Sequence, residues 1–157
     1  MKEITIGSDE WLNQVKEEII EPEIRIIDPH HHLWDFSTST YLVKELQEDT
    51  SSGHKVEKTI YMECGVGYYE DGPEHLRVVG ETESVSLHAK ESQKTGGSPI
   101  AGIVSRADLR MGDLLDEVLD AHMEASNGLF RGIRHAGASA EYPDELLIPG
   151  GAPRDLF

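Results

Sequence analysis

Cysteine is almost absent from this chain. Cys64 stands alone among 157 residues, which excludes an intrachain disulfide and fits a reducing compartment. Positive charge is also scarce, with 14 Lys and Arg against 30 Asp and Glu and a formal net charge of -16. Binding a polyanion requires clustered cations, so neither nucleic acid nor an acidic membrane surface is an expected partner. No apolar run approaches the roughly 20 residues that span a bilayer. The opening MKEITIGSDEWLNQ lacks the basic-then-apolar layout of a signal peptide. Together these features predict a cytoplasmic protein whose partner is a small molecule. The chain contains no internal repeat or low-complexity tract. Its hydrophobic content of 38% is normal for a globular domain, so acidity alone does not imply disorder.

Four short runs read as strands: 25–28 (RIID), 56–62 (VEKTIYM), 100–105 (IAGIVS) and 129–134 (LFRGIR). Each is nearly continuous in apolar character, as expected of strands buried on both faces of a parallel sheet. Helical segments lie between them. The clearest covers 113–126, where Leu114, Leu115, Val118, Leu119, His122 and Met123 form one stripe, with Asp113 as N-cap and Gly128 as stop. Others are expected over 74–93 and 41–48, and an N-terminal helix over 9–20 ends near Pro22. The strands start 31, 44 and 29 residues apart, which suits crossover helices and an α/β class. The Gly- and Pro-rich sequence after Arg134 reads as loop with at most one helical turn.

The most informative stretch is Asp28-Pro29-His30-His31-His32-Leu33-Trp34-Asp35, at the end of the first strand. Residues i and i+2 of an extended chain project to one side about 6.6 Å apart. His30 and His32 can therefore converge on one ion with metal–nitrogen bonds of about 2.0–2.1 Å, while His31 points away. Asp28 shares their parity and could join them or orient one ring. Ligands of parallel α/β proteins bind at this end of the strands.

IIDPHHHLWD resembles the strand-one signature of the amidohydrolase superfamily, specifically amidohydrolase family 2. The pattern Asp-x-His-x-His, then an aromatic and Asp, is matched by Asp28, His30, His32, Trp34 and Asp35. GPEHLRVVGETE (72–83), IAGIVSRADLR (100–110) and FRGIRHAG (130–137) are similar, in order, to later blocks of the branch that contains sugar-lactone hydrolases. The resemblance covers 24–157 and leaves 1–23 as an N-terminal helical extension. It implies a TIM (β/α)8 barrel with the site at the carboxyl ends of its strands. There His30 and His32 would bind a divalent metal, commonly zinc, that polarises a carbonyl or activates water. Some lactone hydrolases of this branch work without metal, in which case the pair would handle substrate or protons. A barrel of this kind needs about 250 residues. The expectation is therefore its N-terminal half, about four β/α units, either truncated or completed by another copy or a complementing chain. Further His and Asp ligands on later strands have no counterpart here.

Other positions fall at strand ends. Glu63 follows the second strand, where it would bond substrate, reach the metal or remain a solvated acid. Arg134 and His135 end the fourth strand, and Arg134 would bind a substrate carboxylate or pair with a local acid. Arg106 and Asp108 are weaker candidates of the same kind. Gly65 and Gly67 do not form a dinucleotide fingerprint. Cys64 reads as a buried small residue and His122 as core. The function expected is hydrolysis of a sugar-derived or carboxylated lactone. The alternatives are a decarboxylase of the same superfamily and a non-catalytic fragment.

Overall fold

A computed structural model describes residues 4–137. The loop expected beyond Gly137 lies outside them. The chain opens with one helical turn, α1 (Asp9–Leu12), followed by β1 (Arg25–His31). A small hairpin of β2 (Trp34–Phe36) and β3 (Ser39–Tyr41) leads to α2 (Val43–Thr50) and β4 (Lys55–Met62). Then come α3 (Val79–Ser92), β5 (Ile100–Arg106), α4 (Leu114–Ala125) and β6 (Phe130–Arg134).

The four strands read from sequence form one parallel sheet in the order β1-β4-β5-β6. The antiparallel β2–β3 pair stands apart and has no counterpart in the sequence reading. The expected half of a TIM barrel is corrected: among the described residues the architecture is a small open α/β sheet, and no barrel is present. Among the described residues β1 pairs only with β4 and β6 only with β5, so neither edge carries a further strand. Four strands at about 4.8 Å spacing make a ribbon roughly 14 Å wide, too narrow to curl back and close.

A second correction concerns burial. Sequential strand order with right-handed crossovers puts every connecting helix on one face. α3 packs against both β5 and α4, and the core on that face gathers Leu33, Leu46, Tyr61, Val85, Ala89, Ile100 and Ile103. Among the described residues the other face carries no helix. There Ile27 is 59% exposed, and Ile60, Met62 and Val104 are half-buried. An apolar run in a strand thus did not mean burial on both sides.

The helix bounds also shift. The N-terminal helix expected over 9–20 stops at Leu12, and this arm leaves Ile6, Val15 and Ile20 largely exposed. Without an apolar face to bury, a lone helix of that length is marginal in water. The helix expected over 74–93 divides into a 3-10 turn at Glu74–Leu76 and α3. Asp113 precedes α4 as expected, yet it has helical backbone angles and makes no side-chain cap bond.

Candidate functional site

Strand alternation organises the histidine run. The β1–β4 register passes from Asp28↔Thr59 to His31↔Tyr61, three steps on one strand against two on the other. Asp28 closes that irregularity by accepting the backbone N–H of His30 at 3.0 Å, an Asx-type turn. Asp28 is thereby spent on local backbone instead of joining the histidines. His31 turns to the helix-bearing face, buried edge-on against Tyr61 at 5.7 Å between ring centres. Burial pushes its pKa down to about 4, against the pull of Asp28. His30 and His32 leave the opposite, helix-free face, as residues i and i+2 must.

Their rings meet edge-to-face, with the two Nε2 atoms 3.1 Å apart. His32 Nδ1 lies 2.8 Å from the carbonyl oxygen of Met62 on β4. A carbonyl only accepts, so Nδ1 carries the proton and Nε2 of His32 presents a lone pair. Two lone pairs cannot face each other at this distance, so the arrangement requires a proton or a cation between the rings. Nitrogens about 2.0–2.1 Å from a tetrahedral metal lie roughly 3.3 Å from one another. The observed separation therefore fits two corners of such a site. Among the described residues, however, no group of three or more His, Cys, Asp or Glu is arranged to hold a metal ion.

Glu63 and Arg134 come together as a pair. Arg134 Nε donates to Glu63 Oε1 at 2.6 Å, and its terminal nitrogen donates to the Glu63 backbone carbonyl at 2.6 Å. Glu63 is buried, so the bond to Oε1 pairs an acid that would otherwise be costly to place there, while the second bond satisfies its backbone carbonyl. Of the two roles open to Arg134, pairing with a local acid is the one seen. His135 is not presented to solvent. Its side chain is 1% exposed and Nδ1 accepts the Leu109 backbone N–H at 3.2 Å. Its Nε2 is buried without a partner among the described residues. Cys64 corrects a further expectation, because it is exposed. It sits in the turn leaving β4, and burial of its thiol is incomplete even though that environment raises its pKa.

The residue most central to this turn was not singled out from sequence. Glu81, in the first turn of α3, is 2% exposed. Its Oε1 accepts the Tyr61 hydroxyl at 2.7 Å and the backbone N–H groups of Cys64, Gly65 and Val66 at 2.7, 3.1 and 3.4 Å. One carboxylate thus ties the loop that carries Glu63 to the helix behind it. The preceding Gly80 permits this closeness, since a Cβ there would lie 2.5 Å from the Gly67 carbonyl oxygen. Acidic residues are common on helix surfaces, and the weak apolar stripe of 79–92 offered no signal that this one faces inward.

His122 is core, as its place on the α4 stripe suggested. Its Nε2 donates to the Arg106 carbonyl at 2.9 Å, and its Nδ1 accepts from the Thr82 hydroxyl at 2.9 Å. Thr82 and Ser105 share a further bond at 2.7 Å. A cavity of about 570 Å³ opens at the free β1 edge, lined by the histidine run and by Trp34, Tyr41 and Leu46.

No family model matches this chain, and no solved structure matches it. A curated protein of Sinorhizobium fredii (strain NBRC 101917 / NGR234), described as Uncharacterized protein y4mH, is 32% identical over 136 residues. That match takes in 73% of this chain and 40% of the relative. The chain thus resembles a segment of less than half of a longer protein whose printed description assigns it no activity.

Proposed function

We propose that this chain carries the histidine centre of an amidohydrolase-type hydrolase that opens a lactone by attack of water on the ring carbonyl. The reading rests on one observation: two imidazoles on one strand whose Nε2 atoms converge to 3.1 Å, one with its tautomer set by a backbone carbonyl. The order of motif blocks from Asp28 to Gly137 adds the resemblance to lactone hydrolases. His30 and His32 would hold a divalent metal, most simply zinc, which lowers the pKa of bound water towards about 7 and polarises the carbonyl. The pair fits two positions of such a site, and the remaining ligands are not among the described residues.

The chain's own residues act by position. The Met62 carbonyl holds the His32 ring in the tautomer that offers Nε2. The 3.1 Å separation is also a hydrogen-bond distance, so a proton shared by the rings can be moved to or from a reacting oxygen.

The test combines zinc titration by calorimetry with lactone opening followed by acid release in a pH-indicator assay. His30→Ala and His32→Ala are each expected to weaken zinc binding and lower turnover by more than tenfold, the range seen when metal-site groups are removed. Wild-type zinc affinity and turnover in both variants would exclude the pair as the centre. Carbon dioxide release from a carboxylated substrate, without acid release from a lactone, would move the chemistry to decarboxylation.

A further inference from the structure

Arginine is accounted for almost everywhere in the described chain. Arg25 is bonded to Glu57, Arg110 to Asp108 and Arg134 to Glu63. Arg131 donates to the carbonyls of Gly128, Phe130 and Ala101, and Arg77 lies on the exposed surface. Arg106 differs from all of these. It is half-buried at the last position of β5, and among the described residues its guanidinium makes no hydrogen bond or ion pair. In a chain with 30 acids and 14 bases, an unpaired and partly desolvated guanidinium is unexpected, because five donors are left to water alone.

Its direction follows from strand alternation. Ser105 points to the helices, where it bonds to Thr82. Arg106 therefore leaves the helix-free face, the same face that His30 and His32 leave. Met62, whose carbonyl holds His32, pairs with Val104, two residues before Arg106. One strand spacing and two residues of rise put the Arg106 Cα roughly 8 Å from that of Met62, within reach of an arginine side chain and a small ring. The local field agrees. Burial lifts the neighbouring Tyr68 phenol to about 12, Glu81 adds to the rise, and Arg106 opposes it. The other arginine at this end, Arg134, already spends Nε and one terminal nitrogen on Glu63.

We infer that Arg106 is the anion-recognition residue of this site and that the substrate carries a carboxylate, which the guanidinium grips through two parallel N–H donors. The inference rests on the lactone-hydrolase reading for its substrate and deepens it, choosing a carboxylated lactone over a neutral one. It also moves the role expected of Arg134 to the arginine that has no acid of its own.

The experiment compares opening of γ-butyrolactone with opening of 5-oxotetrahydrofuran-2-carboxylate, the same ring bearing a carboxylate, by the full chain supplied with zinc. Wild type is expected to favour the carboxylated ring by at least tenfold in kcat/KM. That ratio should collapse in Arg106→Met and recover in part in Arg106→Lys, which keeps the charge but not the fork. Turnover of both lactones without preference, or a preference untouched in Arg106→Met, overturns the inference and leaves the hydrolase reading standing. If neither lactone is opened, glutarate titration of the arginine Nε–H resonances decides. A saturating shift lost in Arg106→Met supports the anion site without lactone chemistry, and no shift overturns it.

Discussion

Replacing Glu81 by alanine is expected to lower the free energy of unfolding by about 3–5 kcal/mol, since several buried donors lose one shared acceptor and each unsatisfied group costs roughly 1–3 kcal/mol. The reason lies in the donors left behind. The Tyr61 hydroxyl and the amides of Cys64, Gly65 and Val66 all rest on Oε1, and Tyr61 is 0% exposed. Its hydroxyl could not turn to water without opening the core. Glu81→Gln keeps one acceptor oxygen and should cost less, about 1–3 kcal/mol. Urea unfolding reads the stability, and hydrogen exchange at 64–66 reads the loop. An alanine variant within about 0.5 kcal/mol of wild type, the range of a neutral surface change, would show that the carboxylate does not hold the turn. The consequence should reach the site, because this turn follows Met62 and Glu63, which hold His32 and Arg134.

His122→Ala is the second large effect, also expected near 3–5 kcal/mol, since it combines a ring-sized cavity with lost hydrogen bonds. The ring is fully buried, stacks on Phe130 at 5.7 Å and joins α4 to the Thr82 hydroxyl and the Arg106 carbonyl. Burial lowers its pKa below 6.5, with the Arg106 carbonyl pulling the other way. The sign of the linkage follows. Above about pH 6.5 both folded and unfolded forms are neutral and the full stability is present. As pH falls through 6.5 towards the lower folded value, the unfolded chain takes up a proton first. Stability then declines by at most about 1.4 kcal/mol per pH unit from this residue. Glu45 and Glu57, whose pKa values are lowered from 4.5, lose their contribution only at more acid pH, whereas His31, pushed down to about 4 by burial, adds to the decline in the same window as His122. Unfolding midpoints measured from about pH 7 to pH 5 should slope in wild type and slope less in His122→Gln. Equal slopes in the two proteins would remove His122 as the titrating group.

Much of the fold was legible because its signals are local. The stripe from Leu114 to Met123 marked α4 to within a residue at each end, and four β-branched runs marked the four strands of the sheet. The two-residue spacing of His30 and His32 was enough to place both rings on one side. The limits were equally physical. An apolar strand run cannot say whether one face or two are covered, and here the helix-free side of β1 leaves Ile27 exposed. The hairpin of 34–36 and 39–41 is too short to show a period. The helix expected over 9–20 had sequence propensity, but only Asp9–Leu12 is helical and Val15 and Ile20 beyond it stay largely exposed.

The sequence by itself determined the order of the four sheet strands and the helices between them, the parity of the histidine run and the excess of acid. Each follows from covalent geometry or simple counting, so no distant partner has to be known. Tertiary structure decided which groups meet. Arg134 finds Glu63 across 71 positions of sequence, Tyr61 finds Glu81, and Arg106 alone at its strand end finds no acid. With 30 acids available and each exposed pairing worth at most about 1 kcal/mol, charge alone cannot choose among partners. The choice is made when the sheet and helices pack, because packing sets which carboxylates lose their water and therefore must be paired.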